Sequence, residues 1–286
     1  TPYSRNGDGK ATLGPMIREY LISEAMHYLQ IPSTRALAVI TTGEKILREK
    51  FEPGAILVRV AKSHIRVGTF QFGSLLKNTS HFDDLITYTI NRLFPEIENN
   101  SKKYIIFFKK VCELQINLIT EWMRVGFIHG VMNTDNMSLS GETIDYGPAA
   151  YLDEYNPKKV FSSIDKLGRY SFENQSKITL WNLARFAETF LHLIDTNEKK
   201  AINKIEEILN KYKNIFDQSW LTMMSMKLNL DTNYNNDKII KEFLDLMHIY
   251  KLDYTNTFLN LENDTLDQNI FKDWEEKYKK NKLKKF

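Results

Sequence analysis

Two acidic clusters mark the stretch from His129 to Pro148, HGVMNTDNMSLSGETIDYGP. Asp135 and Asn136 form the first, and Asp145, followed by Tyr146 and Gly147, forms the second. Carboxylate and amide oxygens suit Mg²⁺, which takes few ligands from protein and the rest from phosphates and water. The pattern therefore reads as a nucleotide-and-metal site. Between the clusters, residues 137–144 alternate around Ser140-Gly141, the pattern of a small hairpin. A hairpin there brings its ends together, so that Asn136 and Asp145 share one cation.

The layout parallels the catalytic segment of protein kinases, H-R-D-x-x-x-x-N followed by D-F-G. His129 precedes Asn136 by the kinase spacing, and Asp145-Tyr146-Gly147 stands in the place of D-F-G. The kinase base should fall at 131, but Val131 cannot accept a proton. A carboxylate appears instead at Asp135, directly before the asparagine. The metal pair is kept and the base is moved or lost.

These residues need a scaffold. Residues 1–14 form a polar loop in which Gly7-Asp8-Gly9 would let backbone amides approach a phosphate. Residues 15–29 read as a helix with Pro15 in its first turn and Ile17, Leu21, Ala25 and Leu29 on one face. Glu19 sits early in it, where a kinase-like helix glutamate would pair with a strand lysine. Residues 34–48 read as two strands joined at Thr42-Gly43, and residues 55–72 as further strands with a turn at 61–63. Arg59, Lys62, His64 and Arg66 stud that second run. Two arginines near a site would clamp a triphosphate.

After residue 75 the character becomes helical, over 82–94 and 102–125 first. The second helix carries a broad apolar stripe that marks it as core, with Cys112 as a small buried hydrophobe. Gly126 ends it. Residues 161–179 are polar and irregular. Helices are expected at 180–194, 198–216, 219–228, 239–250 and 254–261, with an Asn-rich linker at 232–238. The lysines from Trp274 onward read as a solvated helix face. Strands, a long buried helix and then a loop bearing Asp and Asn follow the order of a two-lobed kinase. The expected fold is α+β: a small, incomplete β-rich N-lobe over 1–75, and a larger helical C-lobe over 76–286 carrying the catalytic loop 129–148.

Composition bounds the function. The 286 residues, 42% hydrophobic, can bury a sizeable core. A net charge of +3 is too slight to argue for nucleic acid, and no nucleic-acid partner is expected. One cysteine excludes an internal disulfide and suits a reducing compartment. No apolar run is long enough for a membrane span and no signal peptide opens the sequence, so a cytoplasmic location is expected. The sequence opens on Thr1 in mid-pattern, as a fragment or a processed chain would.

The segment HGVMNTDNMSLSGETIDYGPAAYLDEYNP resembles the selenoprotein O family, as do TPYSRNGDGKA, IREYLISEAMHYLQIPSTRAL and WNLARFAETFL. The resemblance covers nearly the whole chain and weakens after about residue 195. It implies a kinase-like fold that binds ATP in a flipped orientation. The implied activity is transfer of AMP to Ser, Thr or Tyr hydroxyls of proteins, with Mg²⁺ or Mn²⁺ as cofactor. Carried over position by position, Asp135 resembles the proton acceptor. Asn136 and Asp145 resemble the metal ligands, Asp145 also touching the nucleotide. Asp8 and Gly9 fall on nucleotide-binding positions, Arg59 and Arg66 on phosphate-contacting arginines, and Glu19 on the helix glutamate. In the family the phosphate-holding lysine and a glycine-rich segment lie upstream of TPYSR, and a C-terminal region with a selenocysteine or redox cysteine follows. This sequence contains neither, and is expected to be truncated at both ends. The alternatives are a conventional protein kinase with Asp135 as relocated base, and a nucleotide-binding pseudokinase or degenerate fragment without catalysis.

Overall fold

A computed structural model describes residues 7–76 and 79–282. The first six residues of the expected polar loop and the last four lysine-rich positions lie outside them. The chain divides into two units, Thr1–Glu98 with Asn133–Gly147, and Asn99–Met132 with Pro148–Phe286. Each is α or β by local logic, and together the elements make the expected α+β, kinase-like fold.

The first unit begins with a short strand, β1 (Ala11–Thr12), and a helix, α1 (Leu13–Tyr28). Two long strands follow, β2 (Arg35–Leu47) and β3 (Phe51–Val60), and the sheet order is β1-β3-β2, antiparallel throughout. The reversal between β2 and β3 falls at 48–50, not at Thr42-Gly43 as expected. Gly43 has φ +76°, and the register shifts between Thr41 and Lys45. The glycine therefore makes an irregularity within one strand, a use of positive φ that mimics a turn in sequence.

Two further expectations fail in this unit. The face of α1 carrying Ile17, Leu21, Ala25 and Leu29 is exposed, Leu21 to 61%. Its buried residues are Glu19, Ser23 and Met26, because Glu19 is bonded inward. The run after residue 66 is also not a strand. It forms α2 (Val67–Ser74), at whose start Thr69 Oγ1 accepts the Arg66 N–H at 3.2 Å. That local side-chain bond and burial of Val67 and Phe70 outweigh the β-branched composition. α3 (Thr79–Leu93) then packs on α2, with Phe70 edge-on to Phe82 at 5.8 Å.

The second unit is built on α4 (Lys103–Arg124), whose Phe107, Phe108, Val111, Leu118, Ile119 and Trp122 are buried as expected. Burial pushes the Cys112 thiol well above its usual range. At the helix end Gly126 adopts φ +72°, and a Cβ there would meet the Tyr254 ring at 2.8 Å. A two-stranded ladder joins β4 (Phe127–Ile128) to β5 (Ala150–Tyr151). Then come α5 (Gln175–Glu188), α6 (Leu191–Ile194), α7 (Glu198–Lys227), α8 (Asp237–Ile249), α9 (Tyr254–Glu262) and α10 (Gln268–Asn281). The helix expected at 180–194 is thus split, and those at 198–216 and 219–228 are one.

Aromatic clusters hold these helices. Phe107 and Phe108 of α4 meet Phe186 and Phe190, with Phe186 and Phe190 4.9 Å apart. Phe243 packs against Phe258, Phe271 and Trp274 in a second cluster. Each such pair adds about 0.5–1.5 kcal/mol beyond its buried area. The polar ends are satisfied: Trp274 Nε1 donates to Ile239 O and Tyr278 OH to Leu228 O, both at 2.8 Å. The lysines of α10 point outward as read, Lys279 with 72% of its side chain exposed.

Candidate functional site

Most of the singled-out residues belong to the first unit, because Asn133–Gly147 is part of it. The segment is not the ladder-paired hairpin expected from its alternation. Its arms bridge other segments: Ser138 pairs with Arg66, and Thr143 pairs with Ser33. Val67 N donates to Met137 O and Leu139 N to Ile65 O, each at 3.0 Å. Thr143 N donates to Pro32 O at 2.9 Å, and Thr34 N to Thr143 O at 3.0 Å. At its tip Glu142, buried, accepts from Ser140 Oγ at 2.8 Å and from Lys62 N at 3.0 Å. Alternation signals burial on one side, and the partners for its backbone come from elsewhere in the unit.

Asp135 lies in a 3₁₀ turn over Thr134–Asn136. Asn133 Oδ1 caps the turn by accepting the Asp135 N–H at 3.0 Å. Arg66 Nη1 donates to the Asp135 carbonyl at 3.0 Å. The carboxylate lies against Gly68 at the start of α2, where a Cβ would come 2.1 Å from Asp135 Oδ1. Asn136 is 9% exposed.

Asp145 is exposed and has φ +68°, a left-handed conformation uncommon outside glycine and Asn or Asp. Tyr146 beside it is fully buried and held at three points. Its N–H donates to Glu19 Oε2 at 2.6 Å, its carbonyl accepts from Arg18 Nε at 3.2 Å, and its hydroxyl bonds Ser33 Oγ. The backbone strain at 145 is thus held by fixed neighbours on the 146 side.

Glu19 uses its other oxygen for Arg59. These two residues were expected to have separate partners, a lysine and a phosphate; here the glutamate side chain, 7% exposed, ties the arginine to the Tyr146 amide. Arg59 on β3 and Arg66 at the start of α2 share one further property. Among the described residues the Nε of each is buried without a hydrogen-bond partner. Buried donors left unpaired cost about 1–3 kcal/mol, so each nitrogen is suited to an added acceptor.

Arg59 also lines a cavity of about 420 Å³ with Gly9, Lys10, Met16, Thr42 and Glu44. Asp8 is not among its lining residues. Its carboxylate takes Arg48 Nη1 at 2.8 Å and the Lys10 N–H at 2.9 Å. The Arg48 guanidinium, then the Lys10 amide, hold its carboxyl down to about 2. Among the described residues no three His, Cys, Asp or Glu side chains converge on a common point. His129 belongs to the second unit, fully buried against Trp122, with its N–H donating to Gln175 Oε1 at 3.1 Å.

Sequence reasoning missed Arg18, Ser33 and Gly68. A glycine inside the β-branched run 65–72 was an available signal, since such a glycine often marks close backbone approach. Nothing in the spacing of Arg18 or Ser33 points to Tyr146.

The fold and this cluster define a kinase-like α+β protein with its Asp-Asn and Asp-Tyr-Gly segments in the first unit. The family described as protein adenylyltransferase SelO matches residues 1–285, and the chain belongs to that family. It is similar to the protein nucleotidyltransferase YdiU of Pelagibacter ubique, 55% identical over 267 residues, covering 93% of this chain and 55% of that protein. The Brevibacillus brevis protein of the same name is 50% identical over 286 residues, covering 98% and 58%. That of Bacillus cytotoxicus is 53% identical over 274 residues, covering 95% and 56%. The chain thus spans little more than half the length of these curated relatives. No helix among the described residues is long and apolar enough to cross a membrane.

Proposed function

We propose that the protein transfers AMP from ATP to Ser, Thr or Tyr hydroxyls of other proteins, with ATP bound in the flipped orientation. The observation that carries the reading is the position of Asp135. Its carboxylate is lodged against Gly68, its carbonyl is held by Arg66, and valine stands where a kinase would keep its base. The names of the relatives support nucleotidyl transfer in general.

In this mechanism the acceptor oxygen attacks the α-phosphorus, the bond to the pyrophosphate oxygen breaks, and the hydroxyl proton passes to Asp135. A positioned carboxylate contributes roughly 10²–10⁴-fold in such a role. Arg59 and Arg66 neutralise charge on the departing pyrophosphate, and the unpaired Nε atoms are the donors at hand. Gly9, on the same cavity as Arg59, leaves room for the nucleotide, and Asp8 fixes its loop through Arg48. Glu19 orients Arg59 and the Asp145 segment together.

The donor chemistry at Asn136 and Asp145, one amide oxygen and one exposed carboxylate, suits Mg²⁺ or Mn²⁺. Such an ion would supply charge neutralisation at the phosphates. We place the protein in the cytoplasm; the one cysteine of this chain, Cys112, is free, which suits a reducing compartment.

The experiment is incubation with protein acceptors and ATP labelled in turn at the α and γ phosphates. Label entering protein from the α position only is expected. Label from the γ position alone would establish the kinase reading instead. No label from either, with Asp135→Ala indistinguishable from wild type, would leave the non-catalytic reading.

A further inference from the structure

The second unit contains a cavity of about 190 Å³ that none of the proposed catalytic residues lines. Tyr155, Phe172, Trp220 and Tyr254 supply its aromatic walls, with Met224 and Glu173 also among the lining residues. Tyr155 stacks on Tyr254 with centroids 5.8 Å apart and stands edge-on to Phe172 at 6.2 Å. Phe172 and Tyr254 are buried, whereas Tyr155 and Trp220 are half-buried and Glu173 is exposed. The lining thus combines buried rings with one exposed carboxylate.

Three polar groups here are uncommitted. Among the described residues the Glu173 carboxylate, the Tyr155 hydroxyl and the Trp220 indole N–H have no hydrogen-bond or ion-pair partner. The Glu173 backbone is nevertheless fixed, its N–H donating to Pro157 O at 2.9 Å. Burial first, then the charges of Asp245 and Glu173, push the Tyr155 phenol up to about 12. The same aromatic cluster already accommodates a lysine side chain from within the chain. Lys227 Nζ lies 4.1 Å from the Tyr254 centroid and 3.9 Å from that of Phe258.

The volume selects the occupant's size. Pockets for nucleotides or drug-sized ligands run roughly 300–1,000 Å³, so this one takes a single side chain. Aromatic faces and a free carboxylate together select a cation. A planar guanidinium satisfies both, stacking on a ring while its fork meets the carboxylate. We propose that this cavity is a docking socket for an arginine side chain of a partner protein. That the partner is also a protein acceptor of AMP rests on the reading given above.

The test uses the 286-residue protein without ATP. The probe is the peptide acetyl-Gly-Arg-Gly-amide, compared with the same peptide carrying citrulline, which is isosteric but neutral. Indole emission reports the cavity through Trp220. A saturable change with the arginine peptide is expected, with citrulline at least about fivefold weaker. Glu173→Gln, at an exposed position, and Tyr155→Ala should each weaken arginine binding at least about fivefold, and Trp220→Phe should remove the signal. Equal response to both peptides, an unchanged Glu173→Gln protein, a signal that survives Trp220→Phe, or no saturable change would each overturn the socket. Because ATP is absent, the outcome is independent of whether AMP transfer occurs. Conversely, α-label transfer with no arginine binding would sink the socket and leave the proposed reaction standing.

Discussion

Gly68 and Asp135 are in direct opposition across α2 and the 3₁₀ turn: a methyl group on Gly68 would lie 2.1 Å from Asp135 Oδ1. The contact is to a side-chain oxygen, so a larger residue at 68 displaces the carboxylate before it disturbs the fold. Gly68→Ala should therefore lower kcat roughly tenfold to a hundredfold while nucleotide affinity stays near wild type. Overpacking adds about 1–3 kcal/mol of destabilisation, read as a lower midpoint in urea. Full activity in the alanine variant would show that the position of the Asp135 carboxylate is immaterial.

Asp135→Ala should abolish transfer by about 10²–10⁴-fold, and Asp135→Asn should do nearly the same, because neither accepts a proton. The backbone bonds of Asp135 to Asn133 and Arg66 do not involve its carboxylate and are kept in both variants. Calorimetric ATP binding that survives in both variants distinguishes loss of chemistry from loss of the site.

Removal of Glu19 should destabilise the first unit through two lost contacts at once. Its truncation to alanine strands Arg59 and the Tyr146 amide together, and breaking a buried pair of this kind costs about 3 kcal/mol. Glu19→Gln keeps an acceptor for the amide and should cost less than half as much. Equilibrium denaturation of the two variants gives the comparison; equal losses would assign the whole effect to the Arg59 pair.

Lys227 gives the second unit a pH dependence. Burial first, then the Arg124 charge, pull its ammonium down to about 7. Between that value and the ordinary 10.5 the unfolded chain binds the extra proton, so stability rises with pH across this window, by at most roughly 1.4 kcal/mol per pH unit. Below about pH 7 the contribution is flat. Lys227→Met should remove the slope, measured as urea midpoints between pH 7 and 10.

The type of the long elements was legible in the amino-acid pattern, but β2 and α7 each read as two, and the local irregularities were not legible. α4 announces itself because six large apolar residues share a face and all are buried. The exposed face of α1 misleads for the opposite reason. An ion pair, Glu19 with Arg59, turns the helix against its own apolar stripe, and a partner 40 residues away leaves no mark on local periodicity. α2 was hidden because Val, Thr and Phe favour strands until a tertiary setting overrules them. At the site, residue types identified Asp135, Asn136 and Asp145 as a chemical group. The supports, Arg18 and Ser33 on Tyr146 and Gly68 under Asp135, are contacts distant in sequence that no spacing rule encodes.

The first unit is discontinuous along the chain: fifteen residues, Asn133–Gly147, return to it from the midst of the second. A piece ending at Glu98 would keep the sheet, α1 and both arginines, yet contain none of Asp135, Asn136 or Asp145. Cutting the gene at that boundary thus yields no half that inherits the chemistry. Any rearrangement that carries the reaction into another protein has to move both stretches together.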